Sequence, residues 1–132
     1  MMNYSLRLRK RKHYSSIIWH PSKVARYVRF AVRRPSLAQR IELTARVREL
    51  TRQHEFLKAG DITEQLAASL ADLLVRKLYL EWGLAKVEGL KIDGAPASPA
   101  NLIARGPEEL VEEIISAIKT ESGLNENERK NS

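Results

Sequence analysis

The side chains best suited to catalysis or metal binding in this sequence are three histidines and two pairs of glutamates. His13, His20 and His54 have no second His, Cys or acid at the spacing of a metal site, so we predict no metal centre. His54 falls on the apolar stripe of a predicted helix, which favours a packed histidine over a catalytic base. The glutamates at 108–109 and 112–113 open another predicted helix. Because the helix dipole favours negative charge there, we interpret them as a solvated face rather than a cation site.

Motifs of the common enzyme classes are also missing from the sequence. The chain has no cysteine, which excludes a thiolate nucleophile and sulfur ligands for zinc. Gly83, Gly89 and Gly94 are isolated from one another and form no phosphate-binding loop, and there is no GxSxG motif. We therefore expect a protein that is not an enzyme and needs no cofactor.

The distribution of charge is the clearest functional signal. From Met1 to Ile41 there are eleven Lys and Arg and no acid, whereas from Glu42 to Ser132 there are twelve basic and sixteen acidic residues. Such a block indicates an arm for nucleic acid or an acidic partner, or a basic edge that meets the acidic face of the body. With Tyr27 as an aromatic stacking platform, the candidate polyanion-binding residues are Arg7, Arg9, Lys10, Arg11, Lys12, Arg29, Arg33 and Arg34.

Length and composition predict one soluble domain with two polar ends. The 132 residues are 43% hydrophobic and 30% charged, which is ordinary for a globular protein, and the net charge is +7. No apolar stretch is long enough for a membrane span, and the basic start lacks the apolar segment of a secretory signal. We expect a disordered basic arm at 1–13, a single helical domain with minor β structure at 14–123, and a polar tail at 124–132, in a cytoplasmic protein.

The β structure is expected in two short pieces. Residues 23–33 alternate with period two, which predicts a strand that buries Val24, Val28, Phe30 and Val32 and exposes a cationic face. Residues 15–20 form an expected preceding strand, with Pro21 and Ser22 in the turn. Residues 87–98 predict a small hairpin around Asp93-Gly94.

The helices are expected to dominate the fold. Capping residues and apolar periodicity predict two long helices and a C-terminal helix, near 37–59, 62–82 and 107–122, with a short helical turn that begins after Ser98. The fold class is therefore mainly α with a small β element (α+β). Ser36 and Gln39 form the expected N-terminal capping box of the first helix. Its main apolar stripe, Leu43 to Leu57, and a thinner one on another side predict a helix that is covered on more than one face.

Apolar residues cover more than half the circumference of the second long helix. We interpret this helix as the centre of the domain, wrapped by its neighbours, with Leu70 and Leu74 buried. Lys77 and Glu81 fall inside the apolar arc. They form either an ion pair at the edge of the domain or a polar key for a partner. The candidate partner-docking residues are Lys77, Glu81 and Trp82.

Several segments also resemble a known group of proteins. They are RFAVRRPSLAQRIELTARVREL at 29–50, EFLKAG at 55–60, YLEWGL at 79–84, VEGLKIDG at 87–94, Pro99, and ERKNS at 128–132. The order of helices, a Trp-Gly and Asp-Gly hairpin, a late helix and a Lys-Asn end is similar to that of bacteriophage and prophage tail assembly chaperones. The resemblance covers about residues 23–132 and excludes the basic arm.

This resemblance implies a non-enzymatic helper in the cytoplasm of a bacterial host. The partner would be the tape-measure protein or another tail protein, kept soluble until the tail tube forms, and the helper would often act as a homo-oligomer. The resemblance assigns no individual binding residues. The alternative is a nucleic-acid-binding accessory protein that acts non-specifically through the basic N-terminal third. Neither hypothesis involves a membrane.

Overall fold

A computed structural model describes residues 13–56 and 61–123, and the side chains of all of these except 54–56 and 61–64. In this part of the chain the strands are β1 (Ile17–Pro21), β2 (Arg29–Arg33), β3 (Leu84–Glu88), β4 (Lys91–Ile92) and β5 (Ala95–Pro96). The helices are α1 (Leu37–Phe56), α2 (Asp61–Gly83), α3 (Pro99–Arg105) and α4 (Glu108–Ser122). The predicted fold class, mainly α with a small β element, is confirmed.

β1, β2 and β3 form an antiparallel sheet with β2 in the centre. Phe30 and Val32 are buried on the inner face, which α4 covers, whereas Arg29 and Arg33 are exposed on the outer face. Ala31 is buried too, which alternation alone does not predict. It is a small residue flanked in the sheet by Trp19 on β1 and Lys86 on β3, whose larger side chains share its face.

The strand predicted at 23–33 is wrong in its first half. β2 begins only at Arg29, and the preceding residues form a loop in which Tyr27 has a φ of 67°. This left-handed conformation ends the extended backbone and leaves Val24 exposed. The preceding strand is confirmed in position, but it includes Pro21, so the turn is longer than Pro21-Ser22.

Helix α1 begins as predicted, since Ser36 and Gln39 exchange the two hydrogen bonds of a capping box. The most buried residue of this helix is Leu43, which is fully inaccessible to solvent. The second stripe was expected at Ile41, Ala45 and Phe56, and it is not covered where it is described, because Ile41 and Ala45 are both exposed. The side chain of Phe56 lies outside the described ones. The predicted end of this helix near 59 and the cap at Gly60 lie outside the described residues.

Helix α2 is not wrapped along its whole length. Its last turns are buried at Leu78, Tyr79 and Leu80, but much of its first half is open to solvent, and Leu70 is among the exposed side chains. The reason is the position of α4, which meets the second half of α2 through an ion pair from Glu112 to Arg76. Helix α1 also contacts α2.

The C-terminal elements follow the prediction closely. Asp93 and Gly94 join β4 to β5, and both have positive φ, as a two-residue hairpin turn requires of its central residues. Ser98 caps α3 in a capping box with Asn101, and Gly123 ends α4 in the left-handed conformation. The apolar side of α4 faces the sheet and α2, and its buried residues include Leu110, Ile114, Ile115 and Ile118.

No helix in the described ranges has the length and apolar character to span a bilayer. The basic arm lies outside these ranges, apart from an exposed His13, and the polar tail lies outside them entirely.

Candidate protein-binding surface on helices α1 and α2

Within residues 13–56 and 61–123, no group of three or more His, Asp or Glu side chains is placed to hold a metal ion. The four glutamates of α4 also separate. Glu112 pairs with Arg76, and Glu113 accepts hydrogen bonds from Ser22 and Lys23, so two of the four connect elements of the domain. Glu108, Glu109 and Glu112 are exposed, as expected of a solvated face, whereas Glu113 is half-buried.

Three leucines on α2 form the most conspicuous apolar surface, which we call the leucine stripe. Leu66, Leu70 and Leu73 have 65%, 48% and 55% of their surface exposed. Their spacing of four and three residues places them on one side of the helix. Full burial of one such side chain contributes about 1.5–3 kcal/mol, and about half of this stabilisation is not realised at each of the three leucines. A contiguous exposed apolar row of this kind marks an interaction surface.

A groove extends the leucine stripe toward the body of the domain. It lies between α2, α3 and α4 and has a volume of about 280 Å³. Leu73 belongs to both the stripe and the groove, which Arg76, Arg105 and Glu108 also line. Farther along the groove the lining includes Leu80, Ile103 and Val111, with Lys77 on its side.

A second apolar surface runs along α1. Leu37 and Ile41 are 76% and 62% exposed, and they line a shallow depression of about 630 Å³. Arg40 and Arg48 line the same depression, together with Ala45. We call these five residues the arginine-bordered face.

The predicted docking residues only partly belong to this surface. Lys77 and Glu81 are both exposed, and no ion pair joins them in the described part of the chain. Lys77 lines the groove, but Trp82 packs against the hydrophobic core and is therefore unsuited to docking. The leucine stripe was not predicted from the sequence. Apolar periodicity shows which side chains could be buried, but it does not show which of them a neighbouring element covers.

Comparison with protein families, curated proteins and solved structures finds no match to this chain. What its surfaces bind therefore has to be inferred from their own side chains.

Three of the basic residues predicted to bind polyanions, Arg29, Arg33 and Arg34, lie in the described part of the chain. Arg29 forms an ion pair with Glu88, with 2.7 Å between Nε and Oε1, and its guanidinium lies 4.2 Å from the centroid of the Trp19 ring. Arg33 is exposed on the same face of the sheet. Arg34 lies over the ring of Tyr14 at 5.8 Å. The basic residues of the arm, Arg7, Arg9, Lys10, Arg11 and Lys12, lie outside the described residues.

The aromatic platform predicted at Tyr27 is misplaced. Tyr27 is 85% exposed, but it projects from the loop before β2 rather than from the sheet. The aromatic side chain on the sheet face is Trp19, which was not among the residues predicted from the sequence. Pairing of Trp19 with Ala31 in the register brings the tryptophan beside Arg29. The sequence carried no signal for this, because β1, with the sequence IIWHP, does not alternate between apolar and polar residues.

Proposed function

We propose that this protein is a non-enzymatic bacteriophage tail assembly chaperone or adaptor that acts in the cytoplasm of a bacterial host. Its client would be the tape-measure protein or another tail protein. The observation that supports a protein client is the leucine stripe, in which Leu66, Leu70 and Leu73 are each about half exposed or more. The identity of the client rests on the resemblance to tail assembly chaperones.

The geometry suits a helical client. An amphipathic helix presents apolar side chains at intervals of three and four residues and binds in a groove through them. The leucine stripe offers the same intervals, and the groove beyond Leu73 provides a concave end for a large apolar side chain. Such contacts shield an apolar client from self-association without any chemical change, which fits a holding role.

The test is co-expression with the product of the neighbouring gene, which this proposal expects to be a tape-measure protein, followed by a pull-down. The variant L66Q/L70Q/L73Q keeps good helix formers on α2 but removes the apolar side chains. We expect it to retain about ten-fold less client, a loss of about 1.4 kcal/mol. The matched control is Q65S/S69Q/D72N, which changes three exposed polar residues of the same helix. Equal retention by the leucine variant and the wild type would contradict the proposal.

Salt provides a second criterion. Apolar contacts are not screened by ions, so the complex should persist at about 0.5 M salt, where a complex held by phosphate contacts would lose most of its affinity.

A second candidate function is accessory binding of nucleic acid. The observation that favours it is the sheet face on which Arg29 stacks over Trp19 with Arg33 nearby. Stacked aromatic and guanidinium groups can receive single-stranded bases. Arg29 is already paired with Glu88, however, which lowers the charge left for a phosphate. Affinity for single-stranded DNA that falls steeply with salt and drops in Trp19→Ala would support this function.

A further inference from the structure

We infer that the arginine-bordered face of α1 binds an amphipathic helix of a partner protein whose apolar side chains are flanked by Asp and Glu. The inference rests on the proposed function to the extent that the partner is a protein. It goes further in assigning a second surface, separate from the leucine stripe, and the chemistry that this surface selects.

The apolar part of the face has the spacing of a helix–helix contact. Leu37, Ile41 and Ala45 follow one another at intervals of four residues, so they form a row along α1. Leu37 and Ile41 are among the most exposed large apolar side chains of the described residues. The depression around them is shallow and open, which suits a rod-shaped ligand better than a small molecule.

This row points away from the rest of the domain. At 100° per residue, Ile41 lies about 160° around the helix from Leu43, the fully buried residue of α1. Val47 and Leu50 pack against the core on the same side as Leu43. Since α1 makes its contacts with α2 through that side, no described element covers the row.

The charges on α1 specify the partner. Arg46 pairs with Glu42 at 3.8 Å, and Arg52 pairs with Glu49 at 3.0 Å. Glu49 and Arg52 line the depression as a pair, together with Arg40 and Arg48, which form no ion pair among the described residues. Arg48 also lines a neighbouring depression with Asp72 of α2. Arg40 and Arg48 are eight residues apart, which is about 12 Å along the axis at 1.5 Å per residue. Two acidic residues about two turns apart on a partner helix would match them.

A folded acidic helix fits this face better than a continuous polyanion. A phosphate backbone would leave Leu37 and Ile41 in water. An amphipathic helix covers the apolar row and can direct its acids toward Arg40 and Arg48, because at 100° per residue Glu42 and Glu49 lie at the opposite border of the row. Electrostatic complementarity of this type selects the partner and its orientation.

The experiment measures binding of two labelled helical peptides to the full chain by fluorescence anisotropy. The peptides share one row of leucines and differ only in the flanking positions, which are glutamate in one and lysine in the other. We expect the glutamate peptide to bind at least about ten-fold more tightly. In the charge-reversed variant R40E/R48E this preference should invert. The control R26E/K91E makes the same change in net charge at two exposed positions outside α1 and should keep the wild-type preference.

Further variants test the apolar part and the independence of the two surfaces. Ile41→Ser should weaken both peptides by about ten-fold. The variant L66Q/L70Q/L73Q should bind the glutamate peptide as the wild type does, so a loss of tail-protein retention in that variant bears on the proposed function alone. Circular dichroism checks that each variant is folded. If R40E/R48E does not fold, R40Q/R48Q replaces it and should abolish the preference between the two peptides.

Three results would overturn the inference: equal binding of the two peptides, a preference unaffected by R40E/R48E, or binding of single-stranded DNA or anionic vesicles through Arg40 and Arg48 without peptide binding.

Discussion

The carboxylate of Glu113 accepts a hydrogen bond of 2.6 Å from the backbone N–H of Lys23, 90 residues earlier in the chain. It accepts a second one, also of 2.6 Å, from the hydroxyl of Ser22. The Ser22 oxygen in turn accepts the backbone N–H of Ala25 at 2.9 Å. Helix α4 thereby holds the loop that leads into β2. Separately, the side chain of Arg29, in the basic block, pairs with Glu88, an acid of the body.

Glu113→Ala should destabilise the protein. The substitution leaves the Ser22 hydroxyl and the Lys23 N–H without their acceptor, which we expect to cost about 1–3 kcal/mol. Glu109→Ala is the control, because Glu109 is an exposed glutamate of the same helix and should change stability by less than about 0.5 kcal/mol. Urea unfolding followed by circular dichroism measures both. Equal stability of the two variants would mean that the loop is not held by Glu113.

Gly89→Ala should be more damaging than Gly94→Ala. Both glycines have positive φ, 88° and 84°, so alanine is strained by about 1–2 kcal/mol at either position. A Cβ at Gly89 would in addition overlap the carbonyl oxygen of Tyr27, whereas nothing lies within 4 Å of one at Gly94. Thermal unfolding of the two variants isolates the effect of this overlap. A Tm for Gly89→Ala as high as that for Gly94→Ala would show that the loop containing Tyr27 can move to accommodate the added Cβ without loss of stability.

Leucines on α2 should differ in their contribution according to their position along the helix. Leu80 is 3% exposed, and Leu80→Ala should cost about 2–5 kcal/mol through the cavity that it leaves. Leu70 is on the leucine stripe, and Leu70→Ala should cost less than about 1 kcal/mol, since little surface is lost from the core. The comparison uses free energies of unfolding from urea titrations. A large cost at Leu70 would indicate that a partner or a second copy covers it.

Deletion of residues 1–13 should leave folding and client binding intact. The first strand begins at Ile17, and the resemblance to tail chaperones begins near residue 23. Non-specific attraction to polyanions should weaken, with a smaller dependence of affinity on salt, because five of the basic residues are removed. Thermal unfolding and DNA binding at several salt concentrations measure these effects. A truncated protein that fails to fold would show that residues 1–13 contribute to the stability of the fold, contrary to this prediction.

The sequence by itself predicted those elements whose signals are local. The caps at Ser36 and Ser98, the Asp93-Gly94 turn and the end of α4 at Gly123 each depend on a few adjacent residues, and the structure confirms them. The buried side of α4 was also predictable. An amphipathic helix with one narrow apolar side has only one way to face a core.

The tertiary structure decided which apolar and charged side chains remain available. On α1 and α2, apolar residues lie on several sides, and local periodicity does not show which side a neighbour covers. The placement of α4 against the second half of α2 buries Leu80 and leaves Leu70 exposed. Likewise, the register of β1 and β2 joins Trp19 to Arg29. Both outcomes depend on contacts between residues distant in the chain, and pattern along one segment carries no information about such contacts.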